Sequence, residues 1–480
     1  CSVVTTNRWG IAAAYTYAWA QLNSAHLNEA ALEKYASSNV TIQNNYIKAA
    51  GGDAITTMYV DQPLVQYNVA EDCSRQMNPT DYPSGWQRVA AGIWPWKCKD
   101  SVFQYNECYN NQYAYHGNGD GQAWDADWTD GTLYQYNYSH GNSRGAIMFC
   151  GAEAVNTTFR YNISENELTG PLDLPGNPDA HIYNNTFYMN ENIKSIFDRT
   201  GGNAVLENNI FYYGGSTPLN QNWYPGGTLQ YDNNLYYNFA NTPSGDKNAV
   251  VVNAGTKVLE DAGSGPSSNT SGIAYIKENA SVFDGYKLAE DSPAINAGKV
   301  ITDNNGYDLE HDFFGHALTD IPEIGAAESD YVTVTATSNV YNVANDQISG
   351  LAKHTTVKEL LKNLKIDSST QVTVKSGDKV LAENDVVNGG CTVTISYGEK
   401  SKTYTIVASS DCELKSTVYM MTGTTIKIPS TEKNPATVSE VKQNVKTSST
   451  ATVSVISDDK VLANTDTIAD GMTLRITAED

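Results

Sequence analysis

The sequence predicts an all-β protein, a right-handed parallel β-helix (solenoid) followed by two small repeated accessory modules. Three observations carry this prediction. A phrase ending in Tyr-Asn or Asn-Asn recurs at a regular spacing, a longer segment near the C terminus occurs twice, and the composition suits strands and turns. The 480 residues include 31 Tyr and 37 Gly, and only 18% are charged. Gly and Asn supply turns and Tyr fills half-buried strand surfaces, so this composition favours strands over helices.

The recurring phrase is an apolar alternation that leads into an asparagine. Its shared residues are Asn45, Asn68, Asn106, Asn137, Asn162, Asn185, Asn209 and Asn234. The basal interval of 23–25 residues is one solenoid coil, which holds about three strands of 4–6 residues with their turns. An asparagine repeated at one corner predicts a stacked ladder of side chains that satisfies buried turn groups.

Two of the intervals, of 38 and 31 residues, are longer than one coil and therefore contain insertions. Insertions in a solenoid leave the stack on one face and tend to build the binding site. They contain five of the eight tryptophans, namely Trp86, Trp94, Trp96, Trp124 and Trp128. A tryptophan offers a flat apolar face to a sugar ring. The alternative is that these tryptophans pack against other residues of the insertions and contact no sugar.

The period fades after Asn234. Residues 291–328 are rich in turns, and we expect them to pack against the final coils and close the exposed edge of the solenoid. The phrases in this tail resemble the ending of many bacterial β-helix proteins.

The amino-acid composition changes at about residue 331 and becomes rich in Val, Thr and Lys. Residues 356–382 match residues 437–463 at an offset of 81. Each copy starts with the pattern of a capping box, which predicts a short helix followed by strands. The paired residues are Thr356 with Glu359 and Thr437 with Glu440.

These patterns divide the chain into three domains. We expect a β-helix catalytic domain over residues 1–329, a first accessory module over 330–410 and a second, shortened module over 411–480. Neither module contains paired acids or a histidine cluster, so we assign chemistry to neither.

The net charge of −23 argues against a nucleic-acid partner or an anionic membrane surface, because both require a basic face. No run of 18 apolar residues occurs, so no membrane insertion is expected. The seven cysteines lack CxxC spacing, which favours one or two disulfides over a metal cluster. From composition alone we expect an extracellular or cell-wall-associated bacterial protein.

The strongest candidate for a catalytic site is the segment of residues 115–131. It contains four aspartates, namely Asp120, Asp125, Asp127 and Asp130. If residues 122–128 form a strand, Asp125 and Asp127 point to one face and Trp124 and Trp128 to the other. Asp120 lies between two glycines, so a turn can fold it over the same face. Crowded carboxylates raise one another's pKa, which suits an acid and nucleophile pair in a glycoside hydrolase. A calcium site and simple turn capping remain alternatives.

The coil containing DGQAWDAD, followed by YQYNYSHGN, resembles the catalytic region of the lacto-N-biosidases of glycoside hydrolase family 136. The resemblance covers roughly residues 1–330. It implies a parallel β-helix enzyme that releases lacto-N-biose from human-milk and mucin-type glycans with retention. It also implies a catalytic pair of aspartates seven residues apart. Asp120 matches the acid/base and Asp127 the nucleophile, and we take Asp125 as a supporting carboxylate.

Substrate contacts are expected from aromatic and polar residues near this segment, namely Trp94, Trp96, Trp124, Trp128, His116 and Arg144. We expect no cofactor, with calcium as the alternative. Members of the family have a substantial segment ahead of the catalytic coils, and some are split into two polypeptides. A helper or N-terminal partner chain is therefore an expectation that accompanies the oligosaccharide substrate.

Two other functions fit the same fold. A calcium-dependent polysaccharide lyase acting on uronate polymers would need a basic residue to abstract a proton, and the insertions offer several. A non-catalytic glycan-binding surface protein would agree with the repeated modules. Fold alone does not choose among these functions.

Overall fold

The structure is a computed structural model that divides into two compact units, Cys1–Asp330 and Tyr331–Asp480. In the first unit it describes residues 1–14, 34–75, 89–112, 119–266, 280–319 and 321–329. In the second it describes residues 331–338, 340–367, 369–398, 400–407, 416, 418–422, 425–428, 436–446, 451–457 and 460–478. The centres of both predicted insertions, with Trp86 and His116, lie outside these residues.

The first unit is a parallel β-helix built from three sheets, which confirms the predicted fold class. Sheet A consists of Ser2–Thr6, Tyr46–Ala50, Val69–Glu71, Glu107–Tyr109, Tyr138–His140, Ile163–Glu165, Thr186–Met189, Ile210–Tyr213, Leu235–Tyr237 and Val250–Val252. Sheet B consists of Ile11–Ala14, Ile55–Met58, Ile93–Trp96, Trp124–Asp127, Ile147–Cys150 and Leu172–Asp173. Sheet C consists of Ser37–Ser38, Thr41–Gln43, Val60–Asp61, Leu64–Gln66, Lys99–Gln104, Asp130–Gln135, Thr158–Arg160, His181–Tyr183, Ala204–Glu207 and Leu229–Asp232.

Each complete coil contributes one strand to sheet B, then to sheet C, then to sheet A. The recurring asparagines occupy the corner between sheets C and A. From Asn45 to Asn234, the side-chain amide of each asparagine donates to the Oδ1 of the next, over 2.9–3.1 Å. Asn234 ends the series by donating to Asp246 at 3.1 Å. The predicted ladder is confirmed.

The residue before each ladder asparagine explains why the phrase reads Tyr-Asn or Asn-Asn. It has a positive φ, for example 56° at Tyr136 and 51° at Asn184. This conformation turns the chain sharply from sheet C into sheet A. Asparagine tolerates it well, whereas tyrosine needs support. That support comes from stacking, since the Tyr105 ring lies 4.9 Å from Tyr67 and 5.1 Å from Tyr136.

The tail runs alongside the coils instead of only closing their end. Just ahead of the tail, the 3₁₀ helix Ala280–Tyr286 places Phe283 4.9 Å from the Tyr138 ring, in the middle of sheet A. Farther along, the Tyr136 hydroxyl donates to the His311 carbonyl at 2.9 Å. The prediction that the tail packs on the final coils is therefore too narrow. Apolar rows on the outer faces of the coils extend back to the middle of the stack, and the tail buries them.

The second unit contains two related folds. In the first, the helix Val357–Lys362 accompanies a mixed sheet whose strands, in spatial order, are Asn342–Ala344, Gln347–Ser349, Lys400–Ile406, Thr392–Tyr397, Gln371–Ser376 and Lys379–Val380. Ala336–Thr337 pairs separately with Lys365–Ile366. In the second, the helix Val438–Asn444 accompanies Lys460–Val461, Ala451–Ser457 and Thr473–Ala478, with a hairpin of Met420–Thr422 and Thr425–Lys427.

The two predicted helices begin at the expected threonines. Thr437 and Glu440 form the full reciprocal capping box. Thr356 accepts from the Glu359 backbone N–H at 3.2 Å, but no return bond from the Glu359 side chain accompanies it. The first capping box is therefore only half formed.

The six described cysteines are all free, so the disulfides that the cysteine count left possible do not form among them. Cys73, Cys98 and Cys108 are buried thiols within the β-helix. In the part of the chain that the structure describes, no helix is both long and apolar enough to cross a membrane.

Candidate active site

The candidate site is built on the outer face of sheet B, on the strand Trp124–Asp127. Trp124 and Ala126 point inward and belong to the buried core of the coils. Asp125 and Asp127 alternate with them and point outward, as strand periodicity predicts. The expectation that Trp124 contacts substrate is wrong, because its side chain is fully buried and its indole packs 5.9 Å from the Tyr134 ring.

Asp120 reaches the same region from the turn that precedes this strand. Gly119 has a φ of 56° and Gly121 a φ of 145°, conformations that suit residues without a side chain. The Asp120 carboxylate lies 3.5 Å from the Arg199 guanidinium and is largely buried. The structure thus brings Asp120, Asp125 and Asp127 together, as both the crowding argument and the family resemblance require.

The three carboxyls share one electrostatic environment. Burial raises the pKa of Asp120 to about 6, although Arg199 opposes this shift. Burial, together with the Asp120 carboxylate, raises the pKa of Asp127 to about 7, opposed by a hydrogen bond from Cys150. Burial and then the charge of Asp127 raise the pKa of Asp125 well above its ordinary value. Near neutral pH the group therefore holds both protonated and ionised carboxyls.

Two carboxylate oxygens in this cluster have no hydrogen-bond partner among the described residues. They are Oδ1 of Asp125 and Oδ1 of Asp127, both buried. A buried oxygen without a partner is costly. Asp127 retains some exposure, whereas Asp125 is 2% exposed. A ligand hydroxyl in the cleft would satisfy the Asp127 oxygen.

The coils on either side supply the neighbours of these aspartates. Asp127 lies in register with Trp96 of the preceding coil and with Cys150 of the following coil. Asp125 lies in register with Met148, which in turn lies in register with Asp173. Adjacent strands are about 4.8 Å apart, so these side chains line one surface.

Trp96 and Trp128 flank a lysine beside the carboxylates. The Lys97 Nζ is 5.4 Å from the centre of the Trp96 ring and 5.1 Å from that of Trp128. Trp128 was expected on the face opposite Asp127. The strand ends at Asp127, and Trp128 has a φ of 55°, so strand alternation no longer applies to it. Both indoles are half-buried and remain candidates for sugar contact.

Trp94 is buried, with 6% of its surface exposed, and its indole N–H donates to Asp53 at 3.0 Å. It packs the start of its coil and does not offer the expected open face. Arg144 is also engaged. Its guanidinium lies 2.6 Å from Asp198 and donates to the Gly119 carbonyl at 2.9 Å. A contact between Arg144 and substrate remains a prediction, as does the role of His116.

Three residues of this surface escaped the sequence analysis, namely Cys150, Asp173 and Arg199. Cys150 follows Asp127 by about one coil length, and Asp173 follows Met148 in the same way. Adding one coil length to Asp127 would have found Cys150, and adding two to Asp125 would have found Asp173. Arg199 lies outside a regular strand, so no such rule points to it.

A metal centre finds no support within the described residues, where no group of three or more His, Cys, Asp or Glu side chains has a suitable arrangement. The Arg199 guanidinium beside Asp120 and the lysine beside Asp127 supply positive charge at this surface.

The fold and the site define a parallel β-helix protein with a cluster of carboxyls on the outer face of one sheet. Within this class, the chain is similar to lacto-N-biosidases, which confirms the predicted resemblance. It is 46% identical over 419 residues to a lacto-N-biosidase of Bifidobacterium longum subsp. longum. This match covers 80% of the chain but only 26% of that enzyme.

Solved structures give similar relatives. A family 136 lacto-N-biosidase from Eubacterium ramulus is 41% identical, with 45% of this chain and 34% of that chain covered and a TM-score of 0.38. A thermostable pectate lyase is 14% identical, with 45% and 57% covered and a TM-score of 0.29. No protein-family model matches the chain.

Proposed function

We propose that the chain is the catalytic part of an extracellular retaining glycoside hydrolase that releases lacto-N-biose from lacto-N-tetraose-type or mucin-type glycans. The observation that carries this proposal is that Asp120 and Asp127 share one electrostatic environment, beside the lysine that Trp128 flanks. The relationship to lacto-N-biosidases supports the choice of disaccharide. The uncharged substrate agrees with the acidic surface of the chain.

In the proposed reaction Asp120 is the acid/base and Asp127 the nucleophile. The Asp127 carboxylate attacks the anomeric carbon while the Asp120 carboxyl gives its proton to the departing glycosidic oxygen. Water, deprotonated by Asp120, then hydrolyses the covalent glycosyl-enzyme. The new sugar hydroxyl keeps the original anomeric configuration, and both aspartates return to their starting states.

The pKa values of about 6 for Asp120 and about 7 for Asp127 do not by themselves separate an acid from a nucleophile, so the roles rest on the family resemblance and on the partners of each carboxyl. Burial raises the pKa of Asp120, so a protonated form is available for donation. The Cys150 thiol and the Lys97 ammonium both favour the ionised form of Asp127, which is the form that attacks. Asp125 supports the pair from the adjacent outward position on the same strand.

Substitution of each aspartate tests these roles. Asp127→Asn should abolish turnover of lacto-N-tetraose and of an aryl lacto-N-bioside. Asp120→Asn should lower turnover of the natural substrate by about 10²–10⁴-fold, because proton donation is lost. It should spare the first step on the aryl substrate, whose leaving group needs no proton.

Azide separates the two roles further. Azide added to the Asp127→Asn variant should give the glycosyl azide of inverted configuration, and azide added to Asp120→Asn the azide of retained configuration. Asp130→Asn is the matched control, because it makes the same change on sheet C and should keep wild-type turnover. Wild-type turnover by Asp127→Asn would remove that residue from the mechanism.

A further inference from the structure

The turn containing Asp120 is held by two clamped arginines, which we call the arginine clamp (Arg199 with Asp173, and Arg144 with Asp198). Arg199 donates from Nε to both Asp173 oxygens, at 2.9 and 3.0 Å, and from Nη2 to Oδ2 at 2.6 Å. Asp173 is fully buried. This bidentate pairing fixes the plane of the guanidinium.

From this fixed position Arg199 faces Asp120. Its Nη2 lies 3.5 Å from Asp120 Oδ1. The guanidinium therefore attracts the Asp120 carboxylate and limits its orientation. Its own position is set by Asp173 on sheet B. The side chain of Arg199 is 37% exposed, so solvent weakens this ion pair without removing it.

The backbone on both sides of Asp120 is held in the same way. Arg144 Nη1 donates to the Gly119 carbonyl at 2.9 Å, and Asp198 holds Arg144 at 2.6 Å. On the other side, the Gly121 N–H donates to the Gln122 side chain at 2.9 Å. The amide of Gln122 donates in turn to Asp173 at 2.6 Å. Asp173 thus anchors both the backbone after Asp120 and the arginine that faces its carboxylate.

We propose that Arg199, clamped by Asp173, is a positioning residue that fixes the Asp120 carboxyl for proton transfer and sets its protonation. This inference rests on the proposed function, because it takes Asp120 to be the acid/base of that reaction. Two glycines flank Asp120 and would otherwise leave its turn with many conformations. The clamp removes this freedom before substrate arrives, which is the form of preorganisation that catalysis rewards.

The effect of Arg199 on protonation has a definite sign. A guanidinium stabilises the ionised carboxylate and so lowers the pKa of Asp120 against the effect of burial. Loss of its charge should raise that pKa. An acid/base must be protonated at the start, so the alkaline limb of the kcat/KM profile should move to higher pH.

The test compares Arg199→Gln with Arg199→Lys, which keeps the charge but not the bidentate geometry. Arg199→Gln should move the alkaline limb to higher pH and lower kcat by about 10²-fold, because the carboxyl is no longer held in place. In Arg199→Lys the alkaline limb of the kcat/KM profile should stay in place, whereas kcat should fall by less than in Arg199→Gln. Arg75→Gln is the matched control, because it breaks an exposed ion pair with Asp72. Its profile should equal that of the wild type.

Arg199→Gln alone leaves buried Asp173 without its main partner and is at risk of misfolding. The double variant Asp173→Asn/Arg199→Gln removes both charges and should fold. Its alkaline limb should move in the same direction but less far, because the Asp173 charge that also raises the pKa of Asp120 is lost as well. If Arg199 variants instead raise KM with kcat and the limb unchanged, Arg199 binds substrate and the proposal is overturned.

A titration that does not use activity separates this inference from the proposed function. The Asp120 carboxyl carbon is followed by NMR in protein labelled with [γ-¹³C]aspartate, and its signal is assigned by its loss in Asp120→Asn. The titration should move to higher pH in Arg199→Gln or in the double variant, and stay in place in Arg199→Lys. An unchanged titration in all three overturns the proposal. A displaced titration in a protein that hydrolyses no glycan leaves the arginine clamp intact and refutes the hydrolase.

Discussion

Cys150 lies in register with Asp127 on the neighbouring strand, where its thiol lowers the pKa of the Asp127 carboxyl. Burial raises the pKa of Cys150 well above its ordinary value, with the Asp127 charge adding to this effect. The thiol is therefore protonated at neutral pH and acts as the donor. It favours the ionised state of the proposed nucleophile.

Removal of this donor should raise the pKa of Asp127. The nucleophile must be ionised, so Cys150→Ala should move the acid limb of the kcat/KM profile to higher pH. Cys150→Ser keeps a donor and should leave the limb near its wild-type position. The measurement is the pH dependence of kcat/KM for an aryl lacto-N-bioside. Cys391→Ala, which removes a thiol from the other unit, is the control, and an unmoved limb in Cys150→Ala would contradict the account.

Asp125→Asn should have a small effect on turnover. Burial and the charge of Asp127 raise the pKa of Asp125 well above its ordinary value and so favour its protonated form, which the amide matches in charge and shape. We expect less than about a tenfold loss in kcat/KM, equivalent to about 1.4 kcal/mol in the barrier. Steady-state kinetics beside Asp127→Asn measure the difference. A loss as large as that of Asp127→Asn would make Asp125 a catalytic residue.

Trp124 and Trp128 should respond in opposite ways to truncation. Trp124→Ala removes a fully buried core side chain and should lower the free energy of unfolding by about 3–5 kcal/mol. Trp128→Ala removes a half-buried indole beside Lys97 and should mainly raise KM. Urea unfolding and steady-state kinetics on both variants test this contrast. An unchanged KM in Trp128→Ala would exclude that indole from substrate binding.

The asparagine ladder makes a prediction about stability alone. Asn137 Oδ1 accepts from the Asn106 backbone N–H at 2.9 Å and from its side-chain amide at 3.1 Å. Asn137→Ala leaves these buried donors unpaired and should lower the free energy of unfolding by about 1–3 kcal/mol. Asn248→Ala, at an exposed asparagine whose side chain contacts Asp232, is the control and should change little. Urea unfolding of both variants gives the comparison, and equal values would refute the structural role of the ladder.

The sequence was sufficient for features that repeat or alternate. The spacing of asparagines such as Asn137 and Asn162 predicted the coils and the ladder, because each coil repeats the same corner. Strand alternation placed Asp125 and Asp127 on one face. Both are local rules that act along the chain.

Features that depend on contacts between coils were not predictable in the same way. Trp124 is a core residue because its face of the strand points into the coils. Strand alternation separates the two faces but does not say which of them is buried. The turn at Trp128 broke the alternation through its positive φ. Arg199 reaches Asp120 from three coils away, and only the register between coils brings the two residues together.

The most direct test of the central claim is product analysis by mass spectrometry after the wild-type chain and Asp127→Asn are each incubated with lacto-N-tetraose. Circular dichroism of both proteins verifies that they are folded. The account predicts release of a disaccharide, lacto-N-biose, by the wild type and none by the variant. Intact lacto-N-tetraose after incubation with the folded wild type, or equal release by both proteins, would contradict it.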